Sequence, residues 1–281
     1  MKLQHIIGAD LSKKSIDLVC HLLKNHIQIN NTATGFKDFL QWLKQQRINA
    51  SKLMIVMEHT GLYSYCFERF LHKHHIAFCK VNALAIKRSI GLVRGKTDKW
   101  DATRIAAYGY EKKDQLTMDI PASDALKRLQ MLHSTRDRLV RQKASLTCAI
   151  KEYRHIGIPE NDIIMQTQLQ LIKNFEKQID KLMAEIETVI DGDQALKQNF
   201  RLLQSIKGVG KVVTLAVIIK THNFTRFVNA RKFACFCGTA PFPHDSGTSI
   251  KKRTRVSHLA DKQMKSLLDL SAKSAIQYDK E

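Results

Sequence analysis

The chain has 281 residues, of which 44% are hydrophobic and 26% charged, which excludes a disordered protein and suits one large or two ordinary domains. Its 46 Lys and Arg residues outnumber 26 Asp and Glu residues, and the formal net charge of +20 favours a polyanionic partner, most often nucleic acid. We find no apolar run that would span a membrane and no secretory signal, so we expect a cytoplasmic protein without a membrane partner.

The N-terminal part of the chain predicts an α/β domain. Apolar runs indicate a buried strand over residues 3–9, followed by two short strands that continue an antiparallel meander. Helices and strands then alternate, which indicates a sheet with mixed strand directions. The two short strands cover residues 15–23 and 26–30. The elements after them are strands over residues 53–57 and 76–81 and helices over residues 35–46, 61–75 and 84–93.

Four acidic residues stand at informative places in this pattern. Asp10 follows the first buried strand, and Glu58 follows the apolar strand at residues 53–57. Asp98 and Asp101 are three residues apart at a predicted helix start, so they share one face of that helix. Taken alone, such a pair is typical of a solvated helix start whose acids favour the helix dipole.

The four acids together indicate a metal site. Ligand sites of open α/β sheets gather at the carboxyl ends of strands, and convergent carboxylates repel one another unless cations neutralise them. Carboxylate oxygens suit a hard divalent cation, and we expect Mg²⁺. Two such ions can flank a phosphate and stabilise the attacking and leaving oxygens. The alternative is that each acid is an ordinary strand-end or cap residue.

Three segments around these acids resemble the DEDD motif of the Piv-like transposases and DNA invertases. They are residues 8–14 (GADLSKK), 57–61 (MEHTG) and 96–102 (KTDKWDA). The resemblance implies a RuvC-like (RNase H-like) catalytic domain over residues 1–120. It also implies that Asp10, Glu58, Asp98 and Asp101 are catalytic residues and metal ligands.

Residues 121–195 predict a helical arm. Apolar residues recur at helical spacing in two runs, with a break near residues 155–159. We expect a helical hairpin or coiled coil, which is either an ordinary helix pair or a dimerisation arm of a homo-oligomer, a dimer or tetramer. Its charged faces either contact nucleic acid or are merely solvated.

Residues 196–281 predict a mostly helical C-terminal domain. A Gly-x-Gly turn between two apolar helices forms a helix-hairpin-helix signature at Lys207, Gly208, Gly210 and Lys211. Glycines let backbone N–H groups approach a phosphate, and the following helix N-terminus favours the anion. We therefore expect these residues to bind the DNA backbone. A plain tight turn between packed helices is the alternative.

A Ser-Gly loop and a dense basic run follow. We expect Lys251, Lys252, Arg253 and Arg255 to bind phosphates beside Ser246. A serine needs a nearby base or metal to act as a nucleophile, and Ser246 taken alone is typical of a turn residue.

The C-terminal segments resemble the transposase domain of the same group. The matching segments are residues 237–241, 246–249 and 255–258. The resemblance implies a catalytic serine that forms a covalent phosphoserine link to DNA, and Ser246 is the match, with Ser249 as second choice. Relatives continue with another basic helical segment beyond the position of Glu281, so we expect a shortened copy or a fragment.

The resemblance covers essentially the whole chain. It implies an insertion-sequence DNA transposase or recombinase that cleaves and exchanges strands with Mg²⁺, a serine nucleophile and a structured guide RNA. One alternative is a RuvC-like structure-specific nuclease that uses metal-activated water and no serine. Another alternative is an inactive, truncated remnant that only binds nucleic acid, and its binding would not change in Asp10→Ala.

Overall fold

The computed structural model describes residues 3–59, 61–89, 97–246 and 250–278, without the side chains of residues 243–246 and 250–252. The chain divides into two compact units, Met1–Pro121 and Ala122–Glu281. Among the described residues, no helix combines the length and apolar character needed to cross a membrane.

A five-stranded mixed sheet forms the first unit. Its central strand β1 (His5–Leu11) pairs antiparallel with β2 (Ser15–Cys20) and parallel with β4 (Leu53–Glu58). At the edges, β3 (His26–Asn30) pairs antiparallel with β2, and β5 (Ala77–Val81) pairs parallel with β4. The predicted antiparallel meander and mixed strand directions are confirmed. The RNase H-like class of the domain stays a prediction.

Helices cover both faces of this sheet. On one face, Phe39 and Phe67 pack against β-strand residues such as Ile55. On the other face, Ile105 packs with residues such as Val56. The apolar run at residues 53–57 is continuous because successive residues are buried on opposite faces. The helices described here are α1 (Ala33–Gln45), a short 3₁₀ turn (Ala50–Lys52), α2 (Tyr65–Lys73), α3 (Ala83–Ser89) and α4 (Asp98–Glu111).

Several boundaries differ from the sequence prediction. Asp10 lies inside β1 instead of after it, because pairing with β2 continues to Leu11 opposite Ile16. The helix expected from residue 61 begins at Tyr65, after a turn. The helix expected over residues 84–93 is described only to Ser89, and residues 90–96 lie outside the described part.

Two long helices dominate the second unit. α5 (Asp124–His155) and α6 (Ile163–Asp191) pack against each other as a hairpin, which confirms the predicted helix pair and break. α7 (Gln194–Gln204) and α8 (Lys211–Thr221) follow, and Ile218 is fully buried in the core that these four helices share. A coiled-coil arm and a DNA-binding helix-hairpin-helix stay predictions.

The C-terminal part contains a β-hairpin that the sequence did not predict. After α9 (Ala230–Cys237), strands β6 (Phe242–Ser246) and β7 (Ile250–Arg255) pair antiparallel, before α10 (Lys262–Tyr278). The predicted Ser-Gly loop is therefore wrong for Ser246, which ends a strand. The basic run of β7 lacks alternating apolar residues, so only the backbone ladder reveals it as a strand.

Candidate active site

Asp10 and Glu58 lie on neighbouring strands. Ala9 pairs with Met57 in the parallel β1–β4 ladder, so Asp10 and Glu58 follow side by side toward the carboxyl ends of their strands. The structure therefore brings these two predicted acids to one edge of the sheet, as parallel pairing requires.

Helix α4 carries the other two acids to the same place. A Cβ built on Gly8 would lie 2.2 Å from the carbonyl oxygen of Ala102 and 2.3 Å from the amide nitrogen of Ala106. The helix backbone thus rests directly on β1. Asp98 and Asp101 occupy the first turn of α4, whose N-cap is Thr97; the Oγ1 of Thr97 accepts a hydrogen bond from the Trp100 amide at 3.3 Å.

The acids influence one another electrostatically. The pKa of Asp10 is raised to about 6, first by burial and then by the charges of Asp101, Asp98, Glu58 and Asp17. Like charges near a half-buried carboxyl group favour its protonated form. The charges of the other three predicted acids therefore act on Asp10.

The oxygen atoms of the four acids are of the chemical type that binds divalent cations. Four carboxylates supply the oxygen ligands that Mg²⁺ and similar ions prefer, and a cation would relieve their repulsion. Within the described ranges, however, no three His, Cys, Asp or Glu residues are arranged as a metal-binding group. Asp101 Oδ1 instead accepts a hydrogen bond from Arg104 Nη1 at 3.0 Å. Metal binding by these four acids therefore stays a prediction.

Sequence reasoning missed a fifth carboxylate, Asp17. It is the cross-strand partner of Asp10 on β2 and is only 4% exposed. Its Oδ1 lies 2.7 Å from His26 Nε2, and its Oδ2 accepts a hydrogen bond from Gln28 Nε2 at 2.9 Å. The signal in the sequence that could have found Asp17 was the presence of polar residues at paired positions of β2 and β3, such as Asp17 and Gln28. Since both oxygens have protein partners, we do not count Asp17 as a metal ligand.

A cavity of about 490 Å³ lies against the start of α4. Trp100, which is 60% exposed, lines it together with Lys24 and Lys99. The His21 ring also lines it and stacks on Tyr110 with ring centroids 4.4 Å apart. Aromatic rings and lysines side by side are typical of surfaces that bind unpaired nucleotides.

The two candidate serines lie in and beside the β-hairpin. Ser246 is the last residue of β6 and pairs with Ile250 of β7. Its side chain is outside the described part of the structure, and so is the whole of Ser249. The role of either serine as a nucleophile stays a prediction.

The predicted phosphate-binding basic residues lie on β7. Arg253 and Arg255 are exposed, whereas the side chains of Lys251 and Lys252 are outside the described part. Exposure of the two arginines is compatible with phosphate binding, which stays a prediction.

The two glycines of the predicted DNA-binding turn have different surroundings. Gly208 has φ +83°, and a Cβ there would lie 2.4 Å from the carbonyl oxygen of Ser271 in α10. Gly210 has no described atom within 4 Å of such a Cβ. The adjacent lysines, Lys207 and Lys211, are both exposed. Lys207 begins the turn, and Lys211 Nζ donates a hydrogen bond to Glu187 Oε1 at 2.5 Å. The close approach at Gly208 is therefore to α10, and Gly210 stays the candidate for phosphate contact.

Comparison with known proteins identifies the family. A family model described as "Transposase" matches residues 7–153, and one described as "Transposase IS116/IS110/IS902 family" matches residues 200–281. The pilin gene-inverting proteins of Moraxella bovis and Moraxella lacunata are each 27% identical over 278 residues, covering 95% of this chain and 81% of theirs. T. thermophilus RuvC in complex with a Holliday junction substrate matches 41% of this chain and 99% of its own, at 8% identity and a TM-score of 0.31. Since the model that matches residues 7–153, the DEDD transposase model of the IS110 group, covers more than half of the chain, the protein belongs to the IS110 family of DNA transposases.

Proposed function

We propose that this transposase cleaves and exchanges DNA strands through a divalent-metal site in its first unit and a serine nucleophile in its second. The observation that carries the proposal is the approach of α4 to β1 at Gly8, which sets Asp98 and Asp101 beside Asp10 and Glu58. The names of the two Moraxella relatives, which describe gene inversion, support DNA recombination as the class of reaction.

The four acids would hold the metal. We propose that the metal is Mg²⁺ and that two ions bind. When bound, such ions supply electrostatic stabilisation to the oxygens of a reacting phosphate. The sheet positions Asp10 and Glu58, and the capped start of α4 positions Asp98 and Asp101. The ion pair of Arg104 with Asp101 limits the repulsion among the acids before metal binds.

Ser246 would supply the nucleophile, with Ser249 as the second choice. Attack of the serine oxygen on a DNA phosphorus forms a phosphoserine ester and releases one strand end as an alcohol. Attack by the hydroxyl of another strand then joins the two strands and restores the serine. Lys251, Lys252, Arg253 and Arg255 would bind neighbouring phosphates.

We further propose a structured guide RNA and a homo-oligomer as partners, acting in the cytoplasm. The net charge of +20 supports binding of more than one nucleic-acid strand. Three exposed isoleucines at the tip of the α5–α6 hairpin support this arm as a subunit contact: Ile156, Ile163 and Ile164.

A denaturing gel tests the serine mechanism. Full-length protein is incubated with donor DNA, RNA transcribed from the flanking sequence, and Mg²⁺, and covalent protein–DNA adducts are detected. We expect adducts from the parent and from Ser249→Ala, and none from Ser246→Ala; the reverse pattern would make Ser249 the nucleophile.

Two other results would contradict the proposal. Metal-dependent cleavage without an adduct in the parent, unchanged in Ser246→Ala, would identify a nuclease that uses metal-activated water. Nucleic-acid binding without cleavage, equal in the parent and in Asp10→Ala, would identify a non-catalytic binding protein.

A further inference from the structure

A second cavity, of about 420 Å³, lies within the second unit. Its walls come from α5, the C-terminal end of α8, α9 and the residues that begin α10. Its volume falls in the range of small-ligand pockets. The strand-exchange proposal assigns no role to it.

A buried histidine, His133, lines this cavity. His133 is only 6% exposed, and neither ring nitrogen has a hydrogen-bond partner among the described residues. Its Nε2 lies 3.4 Å from Asp137 Oδ2, but without hydrogen-bond geometry. Burial lowers the pKa of His133, so the ring is neutral and offers one donor and one acceptor. Such a ring is suited to a ligand with a complementary acceptor and donor.

The carboxylates of the cavity are already engaged by the protein. Asp261 Oδ2 accepts a hydrogen bond from Lys220 Nζ at 2.7 Å, and Asp137 Oδ2 accepts one from Gln263 Nε2 at 2.6 Å. Arg141 also lines the cavity and adds positive charge that neither of these bonds neutralises. The lining therefore favours a ligand that carries a phosphate group.

The cation–π pair of Arg226 and Phe236 forms part of one wall. The guanidinium of Arg226 lies 5.0 Å from the ring centroid of Phe236, and both side chains line the cavity. Arg226 Nη1 also donates to the Lys220 carbonyl oxygen at 3.2 Å, which fixes the orientation of the guanidinium. Arginine planes and aromatic rings are the surfaces on which unpaired bases stack in nucleic-acid-binding proteins.

We propose that this cavity holds one unstacked nucleotide of a bound nucleic-acid strand. The base stacks on the Arg226–Phe236 wall, its edge hydrogen-bonds to His133 and Gln263, and its phosphate faces Arg141. The proposal goes beyond strand exchange and shares with it only that nucleic acid is the partner.

Equilibrium binding to a short, labelled single-stranded DNA oligonucleotide tests the cavity. The full-length chain carries Asp10→Asn, and the buffer contains EDTA, so the result does not depend on cleavage or adduct formation. We expect His133→Leu and Gln263→Ala each to weaken binding about five- to tenfold, the effect of losing one hydrogen bond to the ligand. The melting temperature of His133→Leu should equal or exceed that of its parent, because an unpartnered polar ring is replaced by an apolar side chain.

The matched control is Gln142→Ala, which removes an exposed glutamine of α5 that does not line the cavity and should leave affinity unchanged. If His133→Leu unfolds, the exposed Gln263 carries the test. Unchanged affinity in a folded Gln263→Ala protein would overturn the proposal.

Two further oligonucleotides define the ligand. With an oligonucleotide that has no bases, the affinities of the parent and of His133→Leu should be nearly equal. If the two affinities differ as much as they do with the normal oligonucleotide, the cavity binds phosphate alone and the proposal is overturned. An RNA of the same sequence shows whether a DNA or an RNA strand supplies the nucleotide. The strand for which His133→Leu loses more affinity is the one that the cavity binds.

Discussion

Gly8 of β1 faces Ala102 of α4 so closely that a Cβ on Gly8 would lie 2.2 Å from the Ala102 carbonyl oxygen. Farther along the same helix, a Cβ on Gly109 would lie 2.6 Å from Val56 and 2.9 Å from Ile6. Two glycines thus set the distance between α4 and the sheet. That distance also places the acids of α4 beside Asp10.

Replacing Gly8 by alanine should displace α4. The added methyl group meets main-chain atoms, which cannot rotate away, so we expect a loss of about 1–3 kcal/mol in the free energy of unfolding and loss of DNA cleavage. Urea denaturation and a cleavage assay measure the two effects. The control Gly192→Ala, whose nearest atom would be 3.5 Å away, should change stability by less than about 0.5 kcal/mol. Equal stability of Gly8→Ala and its parent would contradict the packing described here.

Divalent metal should stabilise the protein through Asp10. We expect Mg²⁺ to raise the melting temperature of the parent by about 2 °C or more and to leave that of Asp10→Asn unchanged. In EDTA, Asp10→Asn should melt no lower than the parent, because one of several repelling charges is gone. Differential scanning fluorimetry measures both, with Asp38→Asn, an exposed α1 residue, as the control. An Mg²⁺ shift that survives in Asp10→Asn would place metal binding elsewhere.

The protonation of His133 should make stability depend on pH. Its pKa is lowered from 6.5, mainly by burial, with Asp137 opposing this effect and Arg136 and Lys220 reinforcing it. The unfolded chain therefore binds more protons than the folded chain below pH 6.5, and the free energy of unfolding falls as pH decreases through that value. The other titratable or charged groups lining the cavity are Arg141, His222, Arg226 and Asp261.

Melting temperatures at about pH 7.5 and about pH 5.5 measure this dependence. We expect His133→Leu to show a smaller decrease than the parent, since the other groups around the cavity are unchanged. His155→Leu, which removes an exposed histidine from the end of the same helix, should keep the full decrease. The same decrease in His133→Leu and its parent would show that His133 is not the titrating group.

The glycines of the turn before α8 should respond differently to alanine. Gly208→Ala combines φ +83° with a contact of 2.4 Å to the Ser271 carbonyl oxygen, so we expect a loss of more than about 1 kcal/mol in stability. Gly210→Ala meets no described atom within 4 Å and should keep the fold. If backbone N–H groups here bind phosphates, Gly210→Ala should weaken duplex DNA binding measured by fluorescence anisotropy. Unchanged DNA affinity would make this a plain packing turn.

The isoleucines at the tip of the α5–α6 hairpin should support subunit association. Ile156 and Ile163 are 70% and 77% exposed, and we expect replacing both by serine to reduce the oligomer to a smaller species. Light scattering coupled to size-exclusion chromatography measures the mass. Ile276→Ser, at an 83% exposed position of α10, is the control. A monomeric parent, or an unchanged oligomer in the double variant, would exclude this contact.

Much of the acidic site follows from the sequence. The apolar run at residues 53–57 predicts a buried central strand that ends at Glu58, and the spacing of Asp98 and Asp101 places both on one helix face. Asp17 was missed because its neighbour Asp10 comes close only through the antiparallel register. The β6–β7 hairpin was missed because its side chains carry no apolar alternation, although its backbone pairs as a ladder.

The sequence by itself determines the strands and most helices of the first unit, the two long helices of the second, and the order of four acids in a basic protein. It does so because apolar periodicity and charge are local properties of the chain. Only the tertiary structure decides that α4 touches β1 at Gly8, that Gly208 faces α10, and that His133 is buried without a hydrogen-bond partner among the described residues. These features depend on contacts between residues far apart in the chain. Their geometry is set by how whole elements pack, which no local pattern encodes.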